Sequence, residues 1–395
     1  MNKKKGWILS LVGVVLLCAL VLAGVPQKAP EAEVDMNEIV TVYCLSEVRC
    51  GRDGEEKRTT YTFEYDENGN MLSKTTYWNP AFERTPSTMR YEFDERGNLT
   101  RLYDGATEKL AYVYDEEGRV LTEIKSTTGG KVYERNDYTY DDAGRVLTQT
   151  VLLYGNDFKI VNTYDSQGNH IRRERFDDGK LTSSTDYTYD AAGRKLSSVN
   201  WPAVVESGAD AWFWEYDSKG NVVSYKYCQG EKVRTHKTST YDSFGRLKTT
   251  KTVEDGEVTY EATYFYDLRG NLIRIEARQG AEMYIDDPGP LRSLVITYQY
   301  DQYGNMVERV KKHEGFGTDV WTYVYDERGN LLVEEVYGTH TERTYDEYGN
   351  VLTRTKKNEY GETVSEYTYV AFQVPRWLAE KIMAWQAEFE DLDFA

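Results

Sequence analysis

The chain is poor in the residues that most often carry out chemistry. Its 395 residues include four histidines, His170, His236, His313 and His340, scattered at unrelated positions. None lies in a His-Glu-x-x-His pair, and no Cys/His cluster has zinc spacing. There is no Gly-x-Ser-x-Gly elbow, and Gly130-Lys131 and Gly179-Lys180 lack the rest of a phosphate loop. These absences argue against the common hydrolase, metalloprotease and nucleotide-binding classes, so no catalytic residue, cofactor or metal is assigned. Basic charge is also scarce: 48 Lys and Arg face 66 Asp and Glu, a net charge of −18. Nucleic acid and anionic lipid both need a basic footprint, so neither is expected as a partner. The acidic surface is read as the solvating coat of an edge-rich β protein.

Cysteine is equally thin. Outside the N-terminal leader only Cys44, Cys50 and Cys228 remain. An odd number leaves at least one thiol unpaired, and no disulfide framework is expected. Long apolar runs are absent except for Trp7 to Val25, which follows Lys3-Lys4-Lys5. That run is long for a signal peptide and just long enough to span a bilayer. Residues 1–25 are therefore an export signal or an N-terminal membrane anchor, both placing the rest outside the cytoplasm. Residues 26–37 read as a polar tether.

What the chain does have is repetition. Twelve times it writes an aromatic residue, Asp, two variable residues and Gly, with Asp at 66, 94, 115, 141, 165, 190, 217, 242, 267, 301, 326 and 346. The step is about 25 residues, within the range of stacked or coiled arrays. Asp can accept from the backbone two residues on, and Gly tolerates a left-handed conformation, so each motif predicts a type I hairpin turn with a G1 bulge. Asp66 with Gly69, Asp115 with Gly118, Asp141 with Gly144 and Asp326 with Gly329 stand for the set. The preceding strand alternates, as in Tyr138/Tyr140 and Tyr323/Tyr325, so one face of each strand is aromatic. A second turn, such as Asp178-Gly179 or Tyr337-Gly338, feeds the next copy.

The expected fold is all-β: 12 or 13 tandem antiparallel hairpins over residues 38–370. Such a ribbon is too long to lie flat and should coil into a spiral or partial shell, with the aromatic stripe inward. The 34 tyrosines suit this ladder, each offering a flat ring to its cross-strand neighbour and a hydroxyl able to stay wet. Residues 39–64 look like a divergent first hairpin capping the starting edge. Residues 371–395 hold an amphipathic helix with Leu378, Ile382, Trp385 and Phe389 on one side. It is expected to cap the last hairpin; plugging the coil or docking a partner are the alternatives.

The run Tyr323-Val324-Tyr325-Asp326-Glu327-Arg328-Gly329-Asn330-Leu331 resembles the signature of the YD-repeat (Rhs repeat) family. The resemblance covers about residues 55 to 370 and implies a spiralling hairpin shell, as in Rhs toxins, toxin complex subunits and teneurins. The Rhs core and toxin segments of the bacterial members do not follow Tyr369, and Asp287-Pro288 lies between repeats, so toxin encapsulation is not carried over directly.

Three repeats are lengthened, near Trp78–Thr88, Trp201–Asp210 and Gln279–Ser293. All three lie between a second strand and the next first strand, opposite the Asp-x-x-Gly turns, and insertions on one rim mark the binding edge of a repeat protein. Trp78, Trp201 and Trp212 are the candidate ligand-binding residues, since an exposed indole can stack on a sugar or peptide. Packing of each ring onto its own loop is the competing reading. The expectation is a non-catalytic protein, secreted or held at the cell surface, that recognises an extracellular carbohydrate or protein. The alternative is a shortened encapsulation or delivery shell element.

Overall fold

The computed structural model describes residues 35–78, 84–202, 208–280 and 292–390, the side chains of 202 and 385–390 excepted. The expected export segment, most of the tether and the tips of all three insertions lie outside these residues. The described chain contains 26 strands and one helix, Arg376–Glu390. Consecutive strands pair antiparallel, as in Lys232–Tyr241 with Leu247–Glu254 and Glu257–Tyr266 with Leu272–Gln279. Chain contacts group into two units, one built on Asn136–Val320, the other on Gln27–Arg135 together with Trp321–Ala395. No described helix is long and apolar enough to cross a membrane.

Every Asp-x-x-Gly motif is a hairpin turn. In the first, Asp66 N–H donates to Asn70 O at 2.9 Å and Gly69 N–H to Asp66 O at 3.1 Å, with Gly69 at φ +79°. The ladder register slips by one residue immediately before Tyr65, the bulge expected of this loop. The residue between the paired aromatic positions is exposed in all twelve copies, from Glu64 to Thr344. Strict alternation therefore holds along the array. The Cys44, Cys50 and Cys228 side chains are thiols.

The Asp does more than the motif alone suggests. Asp66 Oδ1 accepts from the backbone of Asn68 at 2.9 Å and Asn70 at 2.8 Å, and its Oδ2 accepts Asn70 Nδ2 at 2.8 Å. In the Arg copies the guanidinium replaces the amide: Arg145 Nε donates to Asp141 Oδ2 at 2.6 Å. This explains why only Asn or Arg follows the glycine. Arg has a second use, since Arg145, Arg194 and Arg246 also lie over the rings of Tyr164, Tyr216 and Tyr266 in the next copy, 4.6 to 4.8 Å from the centroids.

From Asp115 to Asp346, hydrogen bonds of this kind hold ten turn carboxylates below the usual Asp range. Backbone donation from Arg145 leads at Asp141, and side-chain donation from Asn330 leads at Asp326. A folded-state pKa below the unfolded one adds stability that is full above the ordinary Asp value near 4 and drains as pH falls through the folded value. The urea midpoint should stay level from about pH 7 to 5 and drop steeply below about pH 4. A midpoint unchanged down to pH 3 would show that the carboxylates do not hold the turns.

Adjacent repeats are joined by tyrosine. The hydroxyl of Tyr266 donates to Leu247 O at 2.9 Å, Tyr241 to Val222 O at 2.9 Å and Tyr216 to Lys195 O at 2.8 Å. The acceptor in each case is the fifth residue after the preceding repeat's Asp. Hydroxyls expected to stay wet are thus donors to the neighbouring hairpin's backbone. Burial raises the phenol pKa values of Tyr241 and Tyr266, and raises those of Tyr65 and Tyr114 further.

The unit built on Gln27–Arg135 and Trp321–Ala395, which holds both ends of the described chain, has a pairing that the repeat pattern does not reveal. The first strand, Ile39–Arg52, pairs on one side with Arg58–Tyr65 and on the other with the last strand, Gly361–Pro375. Ile39–Glu64 was expected to cap a starting edge; instead that edge is hydrogen-bonded to the chain's final strand from Ile39 opposite Pro375 to Arg52 opposite Thr363. The helix packs beside this seam, burying Leu378, Ala379 and Ile382 against Val42, Cys44 and Val374. Its first free N–H groups find backbone partners, Arg376 donating to Glu38 O at 2.9 Å and Trp377 to Met36 O at 3.0 Å. The helix also lies over the first two Asp-x-x-Gly turns, where Gly69 and Gly97 are buried beneath it. A second core joins Val48, Phe63, Met71, Tyr91 and Leu99. The Trp385 and Phe389 side chains fall outside the described set.

Candidate functional site

The three candidate tryptophans do not converge. Trp78 follows the strand Met71–Thr76 in the end-bearing unit, is 42% exposed, and has the Arg84 guanidinium 5.3 Å from its ring centroid. Trp201 belongs to the other unit, near the end of the strand Lys195–Pro202 and opposite Ser184. Its register puts it on the face away from Tyr187 and Tyr189, and its ring is 48% exposed. Trp212 sits one strand further on, in Asp210–Tyr216, with the alternation of Trp214 and Tyr216. It stacks on Tyr227 at 5.4 Å with the planes 21° apart, and Tyr227 in turn donates to Asp210 at 3.0 Å. Trp212 is therefore committed to the aromatic face, whereas Trp78 and Trp201 keep open ring surface.

The turn residues are committed as well. Asp66, Asp115, Asp141 and Asp326 each accept two backbone N–H groups and one side-chain donor, leaving both carboxylate oxygens engaged. Gly118, Gly144 and Gly329 adopt φ +79°, +77° and +88°. Asn98, in the sequon Asn98-Leu99-Thr100, donates to Asp94 at 2.8 Å and accepts from Lys381 at 3.0 Å. Among the described residues no group of three His, Cys, Asp or Glu could hold a metal ion.

The sequence reading missed a hollow of about 640 Å³ on the face opposite the tyrosines. It spans the strands from Lys232–Tyr241 to Arg292–Tyr300 and lies wholly within the Asn136–Val320 unit. Thr240 and Thr249 contribute hydroxyls 2.6 Å apart, joined by Thr238, Thr263 and Ser293. Charge comes from Lys251, Glu261, Glu276 and Arg278, with Arg278 paired to Glu261 at 3.3 Å and Glu276 paired to Arg274 at 2.5 Å. Hydroxyls interleaved with charged donors and acceptors suit a ligand rich in hydroxyl groups. No local motif announces the hollow, because its residues come from five strands and meet only through register.

These features define a tandem β-hairpin repeat protein. Residues 93–132 match the RHS Repeat family model. Residues 114–234 match a second model described as Uncharacterised protein. No curated protein matches the chain in sequence. Among solved structures, TcdB2-TccC3-Cdc42 is 14% identical over 77% of the chain, with a TM-score of 0.34. The Photorhabdus luminescens Tc holotoxin pore is 13% identical over 80%, with a TM-score of 0.33. The chain spans 19% of each of these two. A porin-like protein from Bacteroides uniformis is 11% identical over 82% of the chain and 96% of its own length, with a TM-score of 0.18.

Proposed function

We propose that this RHS-repeat protein works outside the cytoplasm as a non-catalytic recognition element whose ligand is a carbohydrate. The supporting observation is the 640 Å³ hollow lined by Thr238, Thr240, Thr249, Thr263 and Ser293 between Lys251 and Arg278. Its volume falls in the range of small-ligand sites. Its two acidic side chains are each tied to an arginine, an arrangement suited to orienting hydroxyls rather than to acid–base work. Trp78 and Trp201 offer open ring faces as separate stacking surfaces.

A glycan array probed with the labelled full-length chain tests this reading. Binding should fall at least tenfold in Lys251→Ala/Arg278→Ala. Equal binding by that variant would remove the hollow from the account, and equal binding by Trp78→Ala/Trp201→Ala would remove the two tryptophans.

A further inference from the structure

The Asp-x-x-Gly turns differ between the two units in what they show to solvent. In the end-bearing unit the residue after the Asp is Glu in all five turns: Glu67, Glu95, Glu116, Glu327 and Glu347. In the Asn136–Val320 unit only the first turn is acidic, at Asp142; the next six carry Ser166, Ala191, Ser218, Ser243, Leu268 and Gln302. The last three turns of that unit also display large apolar side chains. Phe244 is 79% exposed, Leu268 108% and Tyr303 66%. Solvated loop tips rarely collect such residues on neighbouring copies, and an exposed apolar cluster points to an interaction surface.

The three turns are held in a row. Strands Leu247–Glu254 and Glu257–Tyr266 pair between the first two, and Leu272–Gln279 and Arg292–Tyr300 between the second and third. Each step is therefore about 10 Å, twice the strand spacing. Side chains brace the row: Lys219 Nζ donates to Ser243 O at 2.5 Å and Arg269 Nη1 to Gln302 O at 3.1 Å. Both cations take backbone carbonyls and meet no carboxylate among the described residues. The result is an apolar ridge of about 20 Å that carries two cations outside any ion pair among the described residues, Lys219 and Arg269, while the carboxylates of Asp242, Asp267 and Asp301 are taken up by their own turns.

The same type of edge already carries a helix in the other unit. There Leu378 and Ile382 press onto the turns at Gly97 and Gly69, their Cδ1 atoms 2.9 and 3.0 Å from where a Cβ would stand. Lys381 ties the helix down through Arg96 O at 2.7 Å and Asn98 Oδ1 at 3.0 Å. In that case the helix supplies the cation and the turns supply a backbone carbonyl and an amide oxygen. At Phe244, Leu268 and Tyr303 the cations, Lys219 and Arg269, stand on the turns themselves. We infer that the Phe244–Leu268–Tyr303 ridge docks an acidic amphipathic helix of a partner protein, its apolar stripe on the three side chains and its carboxylates against Lys219 and Arg269. A helix of about 14 residues would cover the ridge.

The test is selection from a displayed library of 15-residue helical peptides, panned on the full-length chain. The winners should carry apolar residues at i, i+3 or i+4, and i+7, flanked by Asp or Glu. Their affinity should fall at least tenfold on Phe244→Ser/Leu268→Ser/Tyr303→Ser. It should fall similarly on Lys219→Glu/Arg269→Glu, and it should weaken with added salt. All five positions are at the surface, and an unchanged urea midpoint will confirm that the variants fold. Failure to enrich, Lys-flanked winners, or equal binding by the triple variant would overturn the assignment. So would sedimentation showing that these residues pair two copies of the chain. Glycan binding at the hollow is independent of this ridge and should survive the triple substitution.

Discussion

Gly97→Ala should cost about 2–5 kcal/mol, while the same change at Gly329 should cost about 1–2 kcal/mol. Both glycines close an Asp-x-x-Gly turn in the left-handed region, at φ +68° and +88°. An L side chain there carries the smaller penalty at either site. The difference lies above the turn. A Cβ on Gly329 meets nothing within 4 Å, whereas one on Gly97 would stand 2.9 Å from Leu378 Cδ1, in a contact already packed between helix and turn. Overpacking of that kind adds about 1–3 kcal/mol. Denaturant midpoints of the two variants measure the gap. A double-mutant cycle with Leu378→Ala should show at least about 1 kcal/mol of coupling at Gly97 and none at Gly329. Equal losses at the two glycines would mean that the helix does not rest on the turns in solution.

Val48→Asp should be more damaging. Val48 is fully buried, among Phe63, Met71, Tyr91 and Leu99. It sits mid-strand, opposite Tyr61 on one side and Tyr367 on the other. A carboxylate there would lose its water among apolar side chains and tyrosine rings, and a buried charge without an ion partner costs about 4 kcal/mol or more. Amide exchange read by mass spectrometry should show peptides from 39–135 and 321–375 losing protection before those from 146–313. A stability loss under about 1 kcal/mol would contradict the place given to Val48.

Local features were the readable ones. Tyr138/Tyr140 and Tyr323/Tyr325 announced their strands through alternation, and Asp-x-x-Gly announced its turn, because both depend on residues within one hairpin. The choice of Asn or Arg after the glycine was visible as a pattern. Its cause was not, since it lies in the second carboxylate oxygen of the Asp and, for Arg145, in the ring of Tyr164 in the next copy. The tyrosine hydroxyls were legible as polar tips and illegible as donors, because their carbonyl acceptors lie in the preceding hairpin.

Pairing of Ile39–Arg52 with Gly361–Pro375 had no sequence signal at all. Both are β-rich segments, and nothing local tells one edge which other edge it meets. The candidate site behaved likewise. Trp212 read as an available indole until register placed it on Tyr227. The hollow around Lys251 and Arg278 exists only through the lateral order of five strands.

Lateral zipping of hairpins is tested most severely where the first and last described strands, Ile39–Arg52 and Gly361–Pro375, meet. Thr41 and Gln373 face one another across that seam, with Gln373 Nε2 donating to Thr41 Oγ1 at 2.7 Å. They are separated by 332 residues of sequence. In Thr41→Cys/Gln373→Cys, mild oxidation should form an intramolecular disulfide in the folded protein, detected as a linked peptide pair by mass spectrometry, with the far-UV spectrum unchanged. Thiols that stay reduced, or that link only different molecules, would contradict the pairing and the lateral architecture built on it.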